Sequence, residues 1–103
     1  MAEIYAIETL VEVNDQDFPA IGEVEQKRIL IAIAIKLSSE PDHFGKPLRK
    51  PLAGYWDLRV GSYRVIYRII RQMVTIVIVI HRSFGYGPRL QRIIAKRINS
   101  RHN

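Results

Sequence analysis

The sequence predicts an α+β domain: a small, antiparallel-rich sheet with helices on one face, in the order β-α-α-β-β-β-α. Three observations predict it. Residues 55–81 read as three strands separated by two short turns. Two helical stretches precede them, and a basic amphipathic stretch follows. The chain has 103 residues, 48% of them hydrophobic, and neither repeat nor linker divides it. Residues 1–103 are therefore expected to share one core as a single domain.

Taken in order, "EIYAIET" (3–9) reads as a first strand. A helix from about Leu10 to Phe18 follows, with Pro19 expected to stop it. "GEVEQKRILIAIAIKLSSEP" is the most helical stretch: Glu23 and Glu25 suit the first turn, Lys36 suits the last, and Pro41 closes it. Its centre is apolar nearly all round, so it is expected to be covered on two sides, by the sheet and by the first helix or a partner. "PDHFGKPLRKPLAG" (41–54) holds three prolines and two glycines and reads as a loop with no strand in it. "YWDLRV" and "YRVIYRII" flank Gly61-Ser62, a tight hairpin link with glycine at the first turn position. A second turn near "RQ" leads to "MVTIVIVIHR", whose β-branched run predicts an interior strand covered on both faces. "RLQRIIAKRINSR" reads as a basic helix over about 88–100, with Leu90, Ile93, Ile94 and Ile98 on one side.

Charge is divided sharply along the chain. Residues 1–44 carry three Lys/Arg against nine Asp/Glu; residues 45–103 carry thirteen against Asp57 alone, within a net charge of +6. Such a split points to a polyanion, nucleic acid or an acidic protein, meeting the C-terminal part. With no cysteine there is neither disulfide nor thiolate metal site. Glu3 and the missing basic n-region argue against a signal peptide, and "ILIAIAI" (29–35) is too short to span a bilayer. A cytoplasmic protein with no membrane contact is the expectation. His43 and His102 have no metal-ligand spacing, and His81 is expected to face away from the basic side with its ring hydrogen-bonded.

Strand alternation puts Tyr55, Asp57 and Arg59 on one face and Trp56, Leu58 and Val60 on the core face. On the next strand Arg64, Ile66, Arg68 and Ile70 share a face. Antiparallel pairing would join the start of that strand to the end of the third, bringing Arg64 to Arg82, with Arg59 across the Gly-Ser turn and Tyr86 just beyond. A planar guanidinium donates paired hydrogen bonds to phosphate and stays charged. Crowding such cations costs roughly 1 kcal/mol per close pair unless an anion arrives. The competing reading pairs Arg59 or Arg68 with Asp57 or with the acidic N-terminal half.

"KPLRKPLAGYWDLRVGSYRVIYRI", followed by "VIHRSFGY", closely resembles the RelE/ParE toxin superfamily of type II toxin–antitoxin systems. The ordered residues Gly54, Leu58, Arg59, Val60, Gly61, Tyr63, Arg64, Val65 and Tyr67, then His81, Arg82 and Tyr86, carry the resemblance over roughly residues 20–86. In its RelE-like branch the resemblance implies a ribosome-dependent mRNA endonuclease that blocks translation. There the ribose 2′-hydroxyl attacks the adjacent phosphate without metal or cofactor. It further implies an acidic, RelB-like antitoxin, and contact with message and ribosomal RNA in the A site. By position, Arg64 and Arg82 would stabilise developing charge, Tyr86 would stack on a base or move a proton, and Arg59 would hold a neighbouring phosphate. Lys46, Arg49, Lys50 and Arg68 would contact the RNA backbone, and the basic helix would contact ribosomal RNA or lie over the site as a lid. Tyr55 and Asp57 stand where RelE-like members carry two lysines. Asp57 is then a proton acceptor or, the favoured reading, a salt-bridge partner of Arg59 or Arg64. Tyr86, ordinarily titrating near 10, would serve as a base only if the arginines lowered it. The alternatives are a ParE-like DNA gyrase inhibitor and a non-catalytic RNA-binding module.

Overall fold

The computed structural model describes residues 4–100; Glu3, Arg101 and His102 lie outside that range. Five strands form one sheet in the order β1-β5-β4-β3-β2, with β1 (Ala6–Thr9) parallel to β5 (Met73–His81) and the other pairs antiparallel. The two turns that build its centre are those expected. Gly61 adopts φ +59° between β3 (Tyr55–Val60) and β4 (Tyr63–Ile70), the left-handed conformation glycine takes without steric cost. Arg71 opens the β4–β5 turn at φ 57°. Residues Val74–Val79 are buried without a break, so β5 is covered on both faces, as its β-branched run predicts.

Two expectations about the segments between strands are corrected. Pro19 does not end the first helical segment, which runs over residues 11–20 through a wide turn, Val13–Asp17, into a 3-10 turn, Phe18–Ala20. Proline at the second position of a new turn loses no intrahelical bond. The proline-rich stretch is not strandless. A short helix α2 (Pro41–Phe44) and a two-residue strand β2 (Lys46–Pro47) occupy it, with Lys46 opposite Asp57 and Pro47 opposite Trp56. β2 is the sheet edge, where a proline without an N–H costs no ladder bond. Gly45, between them, sits against the Tyr67 hydroxyl, where a Cβ would come within 1.7 Å of that oxygen. Tyr67 is fully buried and donates to the Pro41 carbonyl, pinning α2 over β4.

Between these lies α1 (Glu23–Ala32), continued by a wide turn Ile33–Leu37. Ile29, Ile33 and Leu37 enter the core. The opposite stripe is bare: Val24, Ile31 and Ile35 are 71%, 58% and 65% exposed, so the second cover expected for this helix is not supplied within the described residues. α3 (Pro88–Ser100) buries Leu90 and Ile94. Arg97, unlike Arg89, Arg92 and Lys96, does not face solvent. It lies buried, with Nη1 and Nη2 donating to the Asp17 carboxylate at 2.7 and 2.8 Å. The pair also closes an open sheet edge. β1 pairs with β5 only through Ile76. Beyond it, Val79 N–H donates to Asp17 at 2.9 Å and Arg97 donates to the Val77 carbonyl at 3.0 Å. Val77 is the extra residue of a β-bulge, since Ile78 pairs Ile66 and Ile76 pairs Tyr67. Among the described residues no helix is long and apolar enough to cross a membrane.

Candidate active site

Register decides what meets at the hairpin end of the sheet. Arg59 lies directly opposite Arg64, Arg64 opposite Ile80, and Tyr63 opposite His81. The ladder extends one step further, Arg82 N–H donating to the Ser62 carbonyl at 2.7 Å. Arg64 Nη2 then donates to the Arg82 carbonyl at 3.2 Å. Arg59 and Arg64 meet as expected, but Arg82, expected to bring its guanidinium to the cluster, reaches Arg64 only through its backbone carbonyl. The exposed Arg82 side chain is not part of the cleft lining.

The cleft, about 430 Å³, is walled by Asp57, Leu58, Arg59 and Arg64 from β3 and β4, by Tyr86 from the loop after β5, and by Phe44, Gly45 and Lys46 from the α2–β2 segment. Lys36, in the wide turn that continues α1, adds a further cation. The bottom of this arrangement is Asp57, 4% exposed. Its Oδ2 accepts from Arg64 Nη1 at 3.2 Å and from the Tyr86 hydroxyl. The Arg64 guanidinium lies over the Tyr86 ring, 4.5 Å from its centroid. Asp57 Oδ1 and Arg64 Nε are buried with no hydrogen-bond partner among the described residues. The salt-bridge reading of Asp57 is the one realised, with Arg64 and not Arg59 as partner.

The condition under which Tyr86 would serve as a base is not met. The Tyr86 hydroxyl is held above the ordinary 10.0 by burial, by the hydrogen bond to Asp57 and by the Asp57 charge, and Arg64 opposes these without reversing them. The phenol is held protonated, with its proton directed to Asp57, and is not placed to act as a base. His81 behaves as expected. Its Nδ1 accepts from Ser83 N–H at 3.1 Å and contacts Ser83 Oγ at 2.8 Å, and its ring meets Tyr63 edge-on. Arg68 stands four residues along β4 from Arg64, opposite Tyr55 and Thr75, and is not part of the cleft lining. Lys46, Arg49 and Lys50 do gather. They line a second cleft of about 290 Å³ that shares Lys46 and Tyr86 with the first. Asp57 as the residue that joins Arg64 to Tyr86 was not fixed by strand alternation alone, since it also allowed a pairing with Arg59.

The family model for the ParE toxin of type II toxin–antitoxin systems matches residues 6–86. The chain belongs to the RelE/ParE toxin superfamily. Toxin RelG of Mycobacterium tuberculosis is 51% identical over 52 residues, which span 48% of this chain and 60% of that protein. A chain of the M. tuberculosis toxin–antitoxin complex RelBE2 superposes with a TM-score of 0.68 at 33% identity, over 77% of this chain and 99% of that one. YafQ from Escherichia coli BL21(DE3), at 17% identity and a TM-score of 0.54 over 81% and 99% of the two chains, shares the fold. The architecture expected from the sequence is thus the superfamily architecture, and Asp57, Arg59, Arg64 and Tyr86 of the cleft sit on its β3, β4 and post-β5 segments.

Proposed function

We propose that this RelE/ParE-superfamily chain is the toxin of a toxin–antitoxin module and that it cleaves messenger RNA on the ribosome. The observation that carries the reading is the joining of Arg64 and Tyr86 through Asp57 within a cationic cleft. In 2′-hydroxyl attack on the neighbouring phosphate, the 2′-hydroxyl gives its proton to solvent as the 2′-oxygen–phosphorus bond forms, charge grows on the phosphorane oxygens, and the 5′-oxygen departs with a proton of its own. Arg64 and Arg59 supply fixed positive charge for the phosphorane oxygens, and preorganised charge of this kind is worth about 10²–10³ in rate per donor. Tyr86 is the donor for the departing 5′-oxygen, turning its one hydroxyl proton from Asp57 to that oxygen in the step. Asp57 is a positioning residue that aims both. Arg82 contributes its backbone carbonyl to the placing of Arg64. Lys46, Arg49 and Lys50 hold the backbone of the message. The occupant of the ribosomal A site would contact ribosomal RNA through its remaining basic surface, α3 included. An acidic antitoxin fits the excess of cations in residues 45–103, and its apolar side chains fit the bare Val24–Ile31–Ile35 stripe of α1.

The experiment is message cleavage on translating ribosomes, with mapping of cut sites and of product ends. Wild type should leave 2′,3′-cyclic phosphate ends, and Arg64→Ala, still antitoxin-bound, should cut about 10²-fold more slowly or worse. Full cleavage by folded Arg64→Ala sinks the assignment. A second reading, inhibition of DNA gyrase, is favoured by one observation: Arg64 is paired with the buried Asp57 at 3.2 Å, which lessens the positive charge it offers a phosphate. Loss of gyrase supercoiling with intact message would decide for it.

A further inference from the structure

We propose that the cleft on the far side of Tyr86 is a nucleobase subsite, which receives the base next to the phosphate held at Arg64. The inference rests on the RNA-cleaving reading and adds to it a pocket for one base. The cleft measures about 290 Å³. That is at the low end of small-molecule pockets, about 300–1,000 Å³, and suits a single ring system. Its walls are apolar: Pro47, Leu48, Pro51 and Leu52, with Leu52 in the core and Leu48 half-buried. Its rim is cationic, through Lys46 and Arg49 among others. A ligand with a flat apolar part and an anionic part attached to it is what this combination accepts.

Tyr86 ties the cleft to the proposed chemistry. It is part of the wall of both cavities, and Lys46 is shared as well. A ligand lying across Tyr86 therefore has one end among Pro47, Leu48 and Leu52 and the other beside Arg59 and Arg64. One nucleotide has that layout, a base and a phosphate joined by a sugar. The loop that forms the cleft is tied back on itself: Leu48 N–H donates to the Tyr55 carbonyl at 2.9 Å, Leu52 N–H to Arg49 at 2.9 Å and Tyr55 N–H to Leu52 at 3.1 Å. The walls are thus fixed in place before a ligand arrives, which lowers the ordering cost of binding. Apolar and stacking contacts of this kind tolerate any base, so the subsite adds affinity without a strict sequence code.

The test uses the full-length chain and an uncleavable 2′-O-methyl RNA trinucleotide, beside its counterparts lacking one base at each position in turn. Methyl NMR of Leu48 and Leu52 reads occupancy directly, because a base ring shifts methyl signals that it covers. The intact trinucleotide should move both methyl sets at saturation. One abasic counterpart should fail to move them and bind about ten-fold or more weakly, while still perturbing Tyr86. In Leu48→Trp, which fills the cleft, that counterpart and the intact probe should bind alike. The substrate arm needs no variant, so a misfolded Leu48→Trp leaves the proposal testable. Methyl signals that stay still with the intact trinucleotide, or that move equally with every abasic counterpart, overturn the subsite. So does movement induced only by an acidic, leucine-bearing peptide. Message cleavage without methyl shifts removes the subsite and leaves the nuclease; methyl shifts without cleavage leave a base pocket in a protein of other activity.

Discussion

At the scale of single residues the cleft is controlled by Asp57, the one acid among residues 45–103. An isolated buried carboxylate is costly, and one paired with a guanidinium and a phenol is tolerated. Here the carboxylate does two jobs through one oxygen, since Oδ2 accepts from both Arg64 and Tyr86. The second job has a titration signature. Burial leads the causes that hold the Tyr86 hydroxyl above the ordinary 10.0, and the hydrogen bond and charge of Asp57 come next. Asp57→Asn removes the charge, weakens the bond and leaves Arg64 unopposed. Each change favours the phenolate, so the Tyr86 midpoint must fall. A ¹³C-tyrosine NMR titration checks this, and an unmoved Tyr86 resonance would contradict it. The sign for stability follows. A phenol whose folded value is raised contributes stability fully present below about pH 10, and loses it as the pH climbs through the folded value. Asp57→Asn should therefore flatten the alkaline loss of stability as well.

At the scale of elements, legibility in the sequence followed from how local the signal was. The hairpin was readable because Gly61 marks its turn and alternation assigns faces. β2 was not, because its two residues lie among prolines and exist as a strand only by pairing with Trp56 and Asp57 from the next segment. The Arg97–Asp17 pair was hidden for the same reason. The partners are 80 residues apart, and a cation in a basic amphipathic helix looks solvent-facing until the sheet edge it closes is known. That edge is why α3 should matter beyond its apolar contacts. Arg97→Met keeps volume but leaves the Asp17 carboxylate buried and the Val77 carbonyl unpaired. Breaking a buried ion pair by removing one partner costs about 3–5 kcal/mol. Urea unfolding of Arg97→Met should show a loss of that order. A loss under about 1 kcal/mol would mean that solvent reaches Asp17 and that the pair is a surface one.

At the scale of the whole molecule the question is whether the basic half acts as a diffuse field or as a placed set of contacts. The described chain extends 40 × 30 × 27 Å. The screening length at physiological salt is about 8 Å, so cations at the far end of the sheet are nearly invisible at the cleft. Arg71 is such a cation, in the turn at the opposite end of β4 from Arg64. Lys46, Arg49 and Lys50 line the cleft beside Tyr86. For single strands, the logarithm of affinity falls with the logarithm of salt at about 0.7 per phosphate contacted. Replacing Lys46, Arg49 and Lys50 together by glutamine should make that slope shallower by about 2 for uncleavable RNA. Replacing Arg71, Arg92 and Lys96 removes the same charge from elsewhere and should leave the slope nearly unchanged. Fluorescence anisotropy across a salt series gives both slopes. Equal reductions from the two triple variants would mean that the charge works as a field alone, and the reading of the cleft as the place where RNA is held would fall with that result.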